Sequence, residues 1–371
     1  MSDADVLIVG GGIAGASLAA ELAPFLRVLL IEAEDQPGYH STGRSAAFWD
    51  ESYGGPGVQP LTTASGDWLR APPPDVSDHG FLGDCGALYM GRDEDIALID
   101  AYEETFGGAI ALRRLDRAAL ERHVPGLDPR WTHGVFEASC ADIDVGGVHG
   151  AFLRLARRAG AVILPSRPLQ AAERRDGLWH ARTPGGTLTA ATLVNAAGAW
   201  ADHVAAACGV APVGITPYRR TIVQLRTDPA PPAVLPLVLD ISGTFYFKRE
   251  GGGRLWLSPH DETPSDPLDA APEELDVAIA IDRFQGVVDW RVAAVERKWA
   301  GLRSFAPDRL PVYGFDPAAP GFFWCAGQGG FGIQTAPAAA RLAASLLLGR
   351  VPDGIAEGID PTPFSPGRFA A

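Results

Sequence analysis

Asp5-Val-Leu-Ile-Val-Gly-Gly-Gly-Ile-Ala-Gly-Ala-Ser-Leu-Ala-Ala20 runs from an apolar stretch through a glycine cluster into a segment of helix formers, and Arg27-Val-Leu-Leu-Ile-Glu32 follows it. Residues 6–9 read as a strand, 16–26 as a helix and 27–32 as a second strand, so the chain opens on a βαβ unit. Gly10-x-Gly12-x-x-Gly15 occupies its first turn, and Glu32 ends its second strand 22 positions after Gly10. That context makes the glycines a dinucleotide fingerprint. Gly10 permits the tight turn, Gly12 lets backbone N–H groups approach a pyrophosphate, and Gly15 allows close helix–strand packing, while the helix dipole favours the anion. Glu32 is placed to accept hydrogen bonds from ribose hydroxyls and disfavours a ribose phosphate, which selects FAD or NAD over NADP.

Outward from this unit, residues 36–57 are rich in Gly, Ser and Tyr, too polar for a core element, and ordered loops of this kind carry function. Two helical stretches are expected between 93 and 120, a helix over 147–160 and a strand over 161–164. Thr192-Leu-Val-Asn-Ala-Ala-Gly198 reads as an apolar strand that stops at a glycine. Between 213 and 305 the pattern changes to alternating strands, 220–226, 244–249, 254–258 and 292–302, with one helix near 272–285, the signature of an antiparallel sheet. Gly321-Phe-Phe-Trp-Cys-Ala-Gly327 reads as a strand, 328–334 as a glycine-rich turn, and 335–349 as an alanine-rich helix with Thr335 as N-cap. No internal repeat or low-complexity linker interrupts the chain. The expected fold is therefore α/β (α+β): a discontinuous Rossmann-like domain of residues 1–90, 140–212 and 306–371, interleaved with an antiparallel-sheet substrate domain of residues 91–139 and 213–305.

The chain has 371 residues, 47% hydrophobic and 20% charged, a globular composition with no apolar run long enough to span a bilayer. Its net charge of −14 repels a phosphate backbone, which argues against nucleic acid and anionic membranes as partners. Cys85, Cys140, Cys208 and Cys325 never form Cys-x-x-Cys, so they read as buried reduced thiols and not as a zinc site or redox dithiol. The start of the chain lacks a basic region and a signal-peptide core, which points to the cytoplasm. No Gly-x-Ser-x-Gly, HExxH or carboxylate cluster is present, so neither a serine nucleophile nor a metal is expected.

An NAD dehydrogenase would continue as a compact run of βαβ units. Here the second strand leads instead into Gly38-Tyr-His-Ser-Thr-Gly-Arg-Ser-Ala-Ala47, whose small residues let backbone lie close to a flat ring system. With Leu193-Val-Asn-Ala-Ala-Gly-Ala-Trp200, Trp299-Ala-Gly-Leu-Arg-Ser-Phe305 and Gly329-Gly-Phe-Gly-Ile-Gln334, this stretch resembles the FAD-dependent amine and D-amino-acid oxidoreductases, the family of D-amino-acid oxidase, glycine oxidase and sarcosine oxidase. Within that family the likeness is greatest to the bacterial D-arginine dehydrogenases. The resemblance implies that Ala14, Glu32 and Ala33 contact the ADP half of FAD and that Leu169 presents backbone to the adenine. It implies also that His40, Ser41, Thr42, Gly43, Arg44, Ser45, Ala46 and Ala47 run along the isoalloxazine and pyrophosphate, with Gly198 and Gly301 close to the cofactor. Gly329, Gly330, Phe331, Gly332, Ile333 and Gln334 lead into the last helix, whose N–H groups can stabilise negative charge at the N1–C2=O end of reduced flavin. Some relatives hold flavin through a cysteine where this chain has residues 302–308, which contain none, so non-covalent FAD is expected.

On the substrate side the resemblance implies a carboxylate clamp of Arg220 and Arg303, which suits a bidentate, permanently charged partner. Arg219 and Arg220 are adjacent on a strand, so only one of them can face the site, and the resemblance selects Arg220. Tyr53, beside Gly54, Gly55 and Gly57, looks like a lid tyrosine, and Tyr246 would offer its hydroxyl to the carboxylate. The D-arginine dehydrogenases carry a histidine where this chain has Phe48 and an acidic residue where it has Ala87. The expected substrate is therefore an amino acid with a neutral or apolar side chain, unless Asp50, Glu51 or Asp84 rebuilds a cation site. The implied reaction is hydride transfer from the α-carbon of a D-amino acid to flavin N5, followed by hydrolysis of the imino acid to a 2-oxo acid and ammonia. Glycine, sarcosine or another secondary amine remain alternatives, and the electron acceptor, a quinone or oxygen, stays open.

Overall fold

A computed structural model describes residues 2–369. Strand Ala4–Val9 lies inside an eight-stranded sheet, paired in parallel with Val28–Ile31 on one side and Gly186–Asn195 on the other. Val162–Leu164 extends the parallel set beyond Val28–Ile31, and Phe322–Ala326 extends it beyond Gly186–Asn195. Five parallel strands thus come from separated segments of the chain. Val28–Ile31 and Phe322–Ala326 are continuous apolar runs, as strands covered on both faces are. Helix Ile13–Leu22 packs against Val145–Arg158 and Ala336–Leu347, and Leu18, Leu22 and Leu342 meet Ile8, Leu30 and Phe323 in one core.

The first helix starts three residues before the expected 16, with Gly12 as its N-cap, and stops at Leu22 ahead of Pro24, which has no N–H to continue the ladder. Thr335 does precede the last helix, but its hydroxyl donates to the Phe331 carbonyl at 2.9 Å. Ser65 of the helix Gln59–Arg70 accepts the Ala338 N–H at 3.1 Å in its place. The sequence reading also passed over the strands Ala171–Arg175 and Leu178–Thr183, joined through Asp176 and Gly177, both at positive φ. Asp-Gly between two strands is the signal for this tight hairpin.

The second, ten-stranded sheet is built on the long antiparallel pair Thr216–Asp228 and Arg291–Phe305. Arg254–Ser258, Tyr246–Glu250 and Leu237–Asp240 follow, and helix Glu274–Gln285 seals Phe247, Phe284 and Trp290 into a separate core. Strand Ala87–Gly91 pairs with Leu237–Asp240 and His133–Glu137 inside this sheet, so the sheet takes in residues 87–90, ahead of the boundary drawn at 90. Gln328–Gly329, from the last segment, bonds to Ser304 and Phe305 at the other edge. A small sheet of Phe48–Trp49, Ala141–Ile143 and Leu82–Asp84 bridges the two. Cys140, Cys208 and Cys325 are buried and Cys85 partly exposed, all unpaired; burial pushes the Cys208 and Cys325 thiols up to about 12. Among the described residues no helix is long and apolar enough to cross a membrane.

Candidate active site

A cavity of about 430 Å³ runs from the first glycine turn, past Glu32 and Leu169, to Tyr246 and Arg303 on the ten-stranded sheet. A Cβ on Gly15 would sit 1.9 Å from the Gly10 carbonyl oxygen, so its hydrogen is what lets the helix close on the turn. Gly12, by contrast, faces the cavity at the helix N-terminus, with Ala14 beside it. The Glu32 carboxylate accepts the N–H of Gly11 at 2.7 Å and of Glu34 at 3.0 Å, tying the end of the second strand to the glycine turn. Ala33 and Leu169 also line the wall. Gly198 lines it too, at φ 55°, and a Cβ there would meet nothing within 4 Å, which makes it an open cradle for a bound group. A helix N-terminus, a carboxylate at the second strand end and a glycine-floored groove fit a dinucleotide.

His40, Ser41, Thr42, Arg44, Ser45 and Ala46 border this cavity. Thr42 Oγ1 accepts the Ile13 N–H at 3.0 Å, and Ser41 donates to the Leu302 carbonyl at 2.6 Å, so the loop is stitched to the start of the first helix and to the ten-stranded sheet. Gly43 turns away, its N–H donating to the Gly38 carbonyl, and Ala47 faces a much smaller pocket with Phe48 and Gln334. Gly301, Gly329, Gly330, Gly332 and Ile333 lie on the main wall. Phe331 does not; its ring packs 5.7 Å from Phe305 and 5.8 Å from Tyr53. Gln334 is also off that wall. Its amide donates to the Tyr53 carbonyl and to Thr62 Oγ1, both at 3.0 Å, which joins the glycine turn to the Tyr53 loop.

Strand alternation separates the two adjacent arginines. Arg219 points out to Glu273 and Asp276 at the start of helix Glu274–Gln285, and Arg220 points into the cavity. Arg220 Nε donates to the Asp261 carbonyl at 2.7 Å and Nη2 to Glu262 at 3.1 Å, while Nη1 is buried without a partner. The Tyr246 hydroxyl is likewise buried and unpartnered. Arg303, across the same end of the cavity, donates through Nη1 to the Tyr53 hydroxyl. Tyr53 OH also lies 3.4 Å from His260 Nε2, whose Nδ1 is 2.5 Å from the Gly243 carbonyl. That carbonyl fixes the proton on Nδ1 and leaves Nε2 as acceptor. Burial, then the charges of Arg220 and Arg303, push His260 down to about 3, so it adds no third positive charge. Burial pushes the Tyr53 phenol up, but Arg303 and Arg220 together outweigh it and bring its pKa below the ordinary value. The unpartnered Arg220 Nη1 and Tyr246 hydroxyl, with the Arg303 guanidinium across from them, form a site for an anion with several acceptor oxygens.

Phe48 and Tyr53 are off the main wall and line the smaller pocket that adjoins it at Arg303, the Phe48 ring 5.0 Å from Tyr53 and 5.8 Å from Tyr246. Ala87 does not reach the cavity. It is 0% exposed in the ten-stranded sheet, sharing a core with Phe48 and Tyr246, because every residue of its strand is covered on both faces. The three carboxylates considered for a cation site are engaged elsewhere. Asp50 accepts from Ser52, Tyr53 and Tyr89, Glu51 from Thr63 at the surface, and Asp84 from Arg70. The sequence reading missed His260, Asp261 and Glu262, which partner Tyr53 and Arg220 from one loop; nothing in a lone His-Asp-Glu after a strand marks it.

Over residues 5–346 the chain matches the DAO family, described as FAD dependent oxidoreductase. It is 26% identical to FAD-dependent oxidoreductase domain-containing protein 1 of Mus musculus, over 99% of this chain and 85% of that protein. It is 25% identical to glycine oxidase of Pseudomonas putida, over 98% of this chain and 99% of that protein. Among solved structures it is similar to L-proline dehydrogenase from P. horikoshii, with a TM-score of 0.86 at 21% identity, over 100% of this chain and 98% of that one. The two of these relatives named for a substrate are a glycine oxidase and a proline dehydrogenase, so they support the broad resemblance and not the narrower one to D-arginine dehydrogenases.

Proposed function

From the chain's membership of the DAO family of FAD-dependent oxidoreductases, with FAD as cofactor, we propose that it oxidises the amine-bearing α-carbon of an amino acid whose side chain is neutral. The observation that carries this reading is the pair of buried donors without partners, Arg220 Nη1 and Tyr246 OH, on a cavity wall they share with Arg303. A substrate carboxylate supplies the missing acceptors and the compensating charge. Gly12, Ala14, Glu32, Ala33 and Leu169 would hold the ADP half of FAD, and residues 40–46, Gly198, Gly301 and 329–333 the remainder.

FAD, when bound, accepts the hydride. The protein's part is to orient and to set charge. Arg303 and Arg220 hold the carboxylate, which fixes the α-carbon relative to the cofactor groove. The same two cations disfavour a third positive charge nearby, so they favour the uncharged amine over the ammonium. The uncharged amine is the form that reacts, since its lone pair closes the C=N bond as the α C–H leaves with its electrons. The amine proton passes to solvent, and water then adds to the imino acid to release a 2-oxo acid and ammonia.

A guanidinium or ammonium side chain entering beside Phe48 would lose its hydration and meet no free carboxylate, whereas an apolar group packs there. With D-configured substrates, as the resemblance implies, kcat/KM for D-leucine, D-methionine or D-phenylalanine is expected to exceed that for D-arginine and D-lysine at least roughly tenfold, about 1.4 kcal/mol of discrimination. Anaerobic bleaching of the flavin by a panel of D- and L-amino acids, glycine, sarcosine and proline measures this. If D-arginine or D-lysine reduces the flavin best, the reading of Phe48 is wrong. Fastest reduction by glycine or sarcosine would favour the second reading, which the P. putida glycine oxidase and the close Phe48, Tyr53 and Tyr246 rings support. Admitting air and then a quinone to the reduced protein identifies the acceptor.

A further inference from the structure

Two buried carboxyl groups that the reaction does not use lie beneath the loop that carries Tyr53. Asp50 and Glu137 are both 0% exposed. Asp50 Oδ1 accepts the N–H groups of Ser52 and Tyr53, each at 3.1 Å, and the Ser52 hydroxyl at 2.8 Å, while Oδ2 accepts the Tyr89 hydroxyl at 2.8 Å. Glu137 Oε1 accepts the Glu51 N–H at 2.9 Å and the Ser139 hydroxyl at 3.2 Å. Three consecutive backbone N–H groups, those of residues 51, 52 and 53, therefore end on these two side chains. The Asp50 N–H and the Tyr53 carbonyl end on Gln334. The Tyr53 hydroxyl at the far end of this loop meets Arg303.

We infer that Asp50 and Glu137 are positioning residues that share one proton, and that this shared proton keeps Tyr53 seated against Arg303 for carboxylate recognition. The inference rests on the carboxylate-binding reading above. Burial pushes both carboxyl groups toward the protonated form, but Asp50, with four donors pointing at it, is the better anion of the two, so the proton the pair shares belongs to Glu137. Burial first, and the Asp50 charge second, push Glu137 up to about 9. The other groups facing the pair are Tyr89 from its strand, Tyr102 from helix Ile96–Phe106, and Cys140, all of which burial holds protonated. None is cationic, and Arg70, which reaches the Ser139 carbonyl, is paired with Asp84. Once the proton leaves, two buried carboxylates repel with no cation between them, and the loop they hold must move.

The direction in pH follows from linkage. Between the ordinary glutamate value and about 9 the folded protein binds a proton that the unfolded chain has lost, so this group's contribution to stability declines as pH rises through that window and levels off above it. The experiment uses the FAD-loaded protein and propionate, a carboxylate with no group titrating between pH 7 and 10.5, and reads its Kd from the perturbed flavin spectrum. In the parent protein Kd is expected to rise about tenfold between pH 8 and 10. In E137Q, whose amide replaces the shared proton without titrating, the Kd is expected to stay flat over that range. An alkaline rise that persists unchanged in E137Q overturns the inference and assigns the effect to the Tyr53 phenol. D50N removes the anionic acceptor of the Tyr53 N–H and is expected to raise Kd at every pH with FAD retained; a D50N protein that binds propionate as the parent does also overturns it. No propionate binding to the parent at pH 7 is a different result, the failure of the carboxylate reading itself.

Discussion

Arg303→Met is expected to yield a protein that purifies with FAD and loses roughly a hundredfold to ten-thousandfold in kcat/KM. Methionine keeps the straight apolar stem and removes the charge and the fork. A substrate carboxylate then forfeits two charge-assisted hydrogen bonds, each about 1.5–3 kcal/mol, and Tyr53 loses the guanidinium that seats its hydroxyl. The glycine turn, Glu32 and Leu169 lie toward the opposite end of the cavity and are untouched, so flavin content should hold. Arg220→Met should act in the same direction but less strongly. Glu262 already offsets part of the Arg220 charge, and in the variant that carboxylate keeps Arg309 as a partner at 2.9 Å. Arg303→Lys, which restores charge without the fork, should recover only part of the loss. Steady-state kinetics set against flavin content, read from the flavin absorbance of the purified proteins, separates these outcomes. Either methionine protein losing flavin and regaining normal kinetics on reconstitution would overturn the clamp.

What could be read from the sequence divides by the distance over which the physical cause acts. The glycine turn and Glu32 lie within one βαβ unit, and the contacts that explain them are local: Gly15 against Gly10, Glu32 against Gly11. The alternation that splits Arg219 from Arg220 is equally local, but which of the two turns inward is settled by Glu273 and Asp276 in a helix more than fifty residues away. Ala87 was misplaced for the opposite reason. Its stretch carries no motif, and its burial follows from pairing with Leu237–Asp240 and His133–Glu137, neither of which was assigned as a strand. His260 meets Tyr53 across 207 residues and Glu137 meets Glu51 across 86, spans over which periodicity says nothing. The cofactor half of the site is thus written in short-range pattern, and the substrate half in the pairing of two sheets.

Glu32→Ala is expected to weaken FAD binding by roughly tenfold to a hundredfold, the equivalent of one charge-assisted hydrogen bond of about 1.5–3 kcal/mol. Two losses combine in this variant. The proposed acceptor for the ribose hydroxyls disappears, and the Gly11 and Glu34 N–H groups lose the carboxylate that ties them together at 2.7 and 3.0 Å. Glu32→Gln separates the two, since its one carbonyl oxygen can still accept the Gly11 N–H and keep the turn closed while the charge is gone. A smaller loss in Glu32→Gln than in Glu32→Ala therefore measures the tie, and the loss common to both measures the ribose contact. Titration of the apoprotein with FAD and, in competition, with ADP adds a position to the argument. If Glu32 acts on the adenosine half, ADP must weaken in parallel with FAD. A full FAD loss with ADP unchanged would move the role of Glu32 away from the ribose, and an unchanged FAD dissociation constant in Glu32→Ala would remove it from the cofactor site altogether.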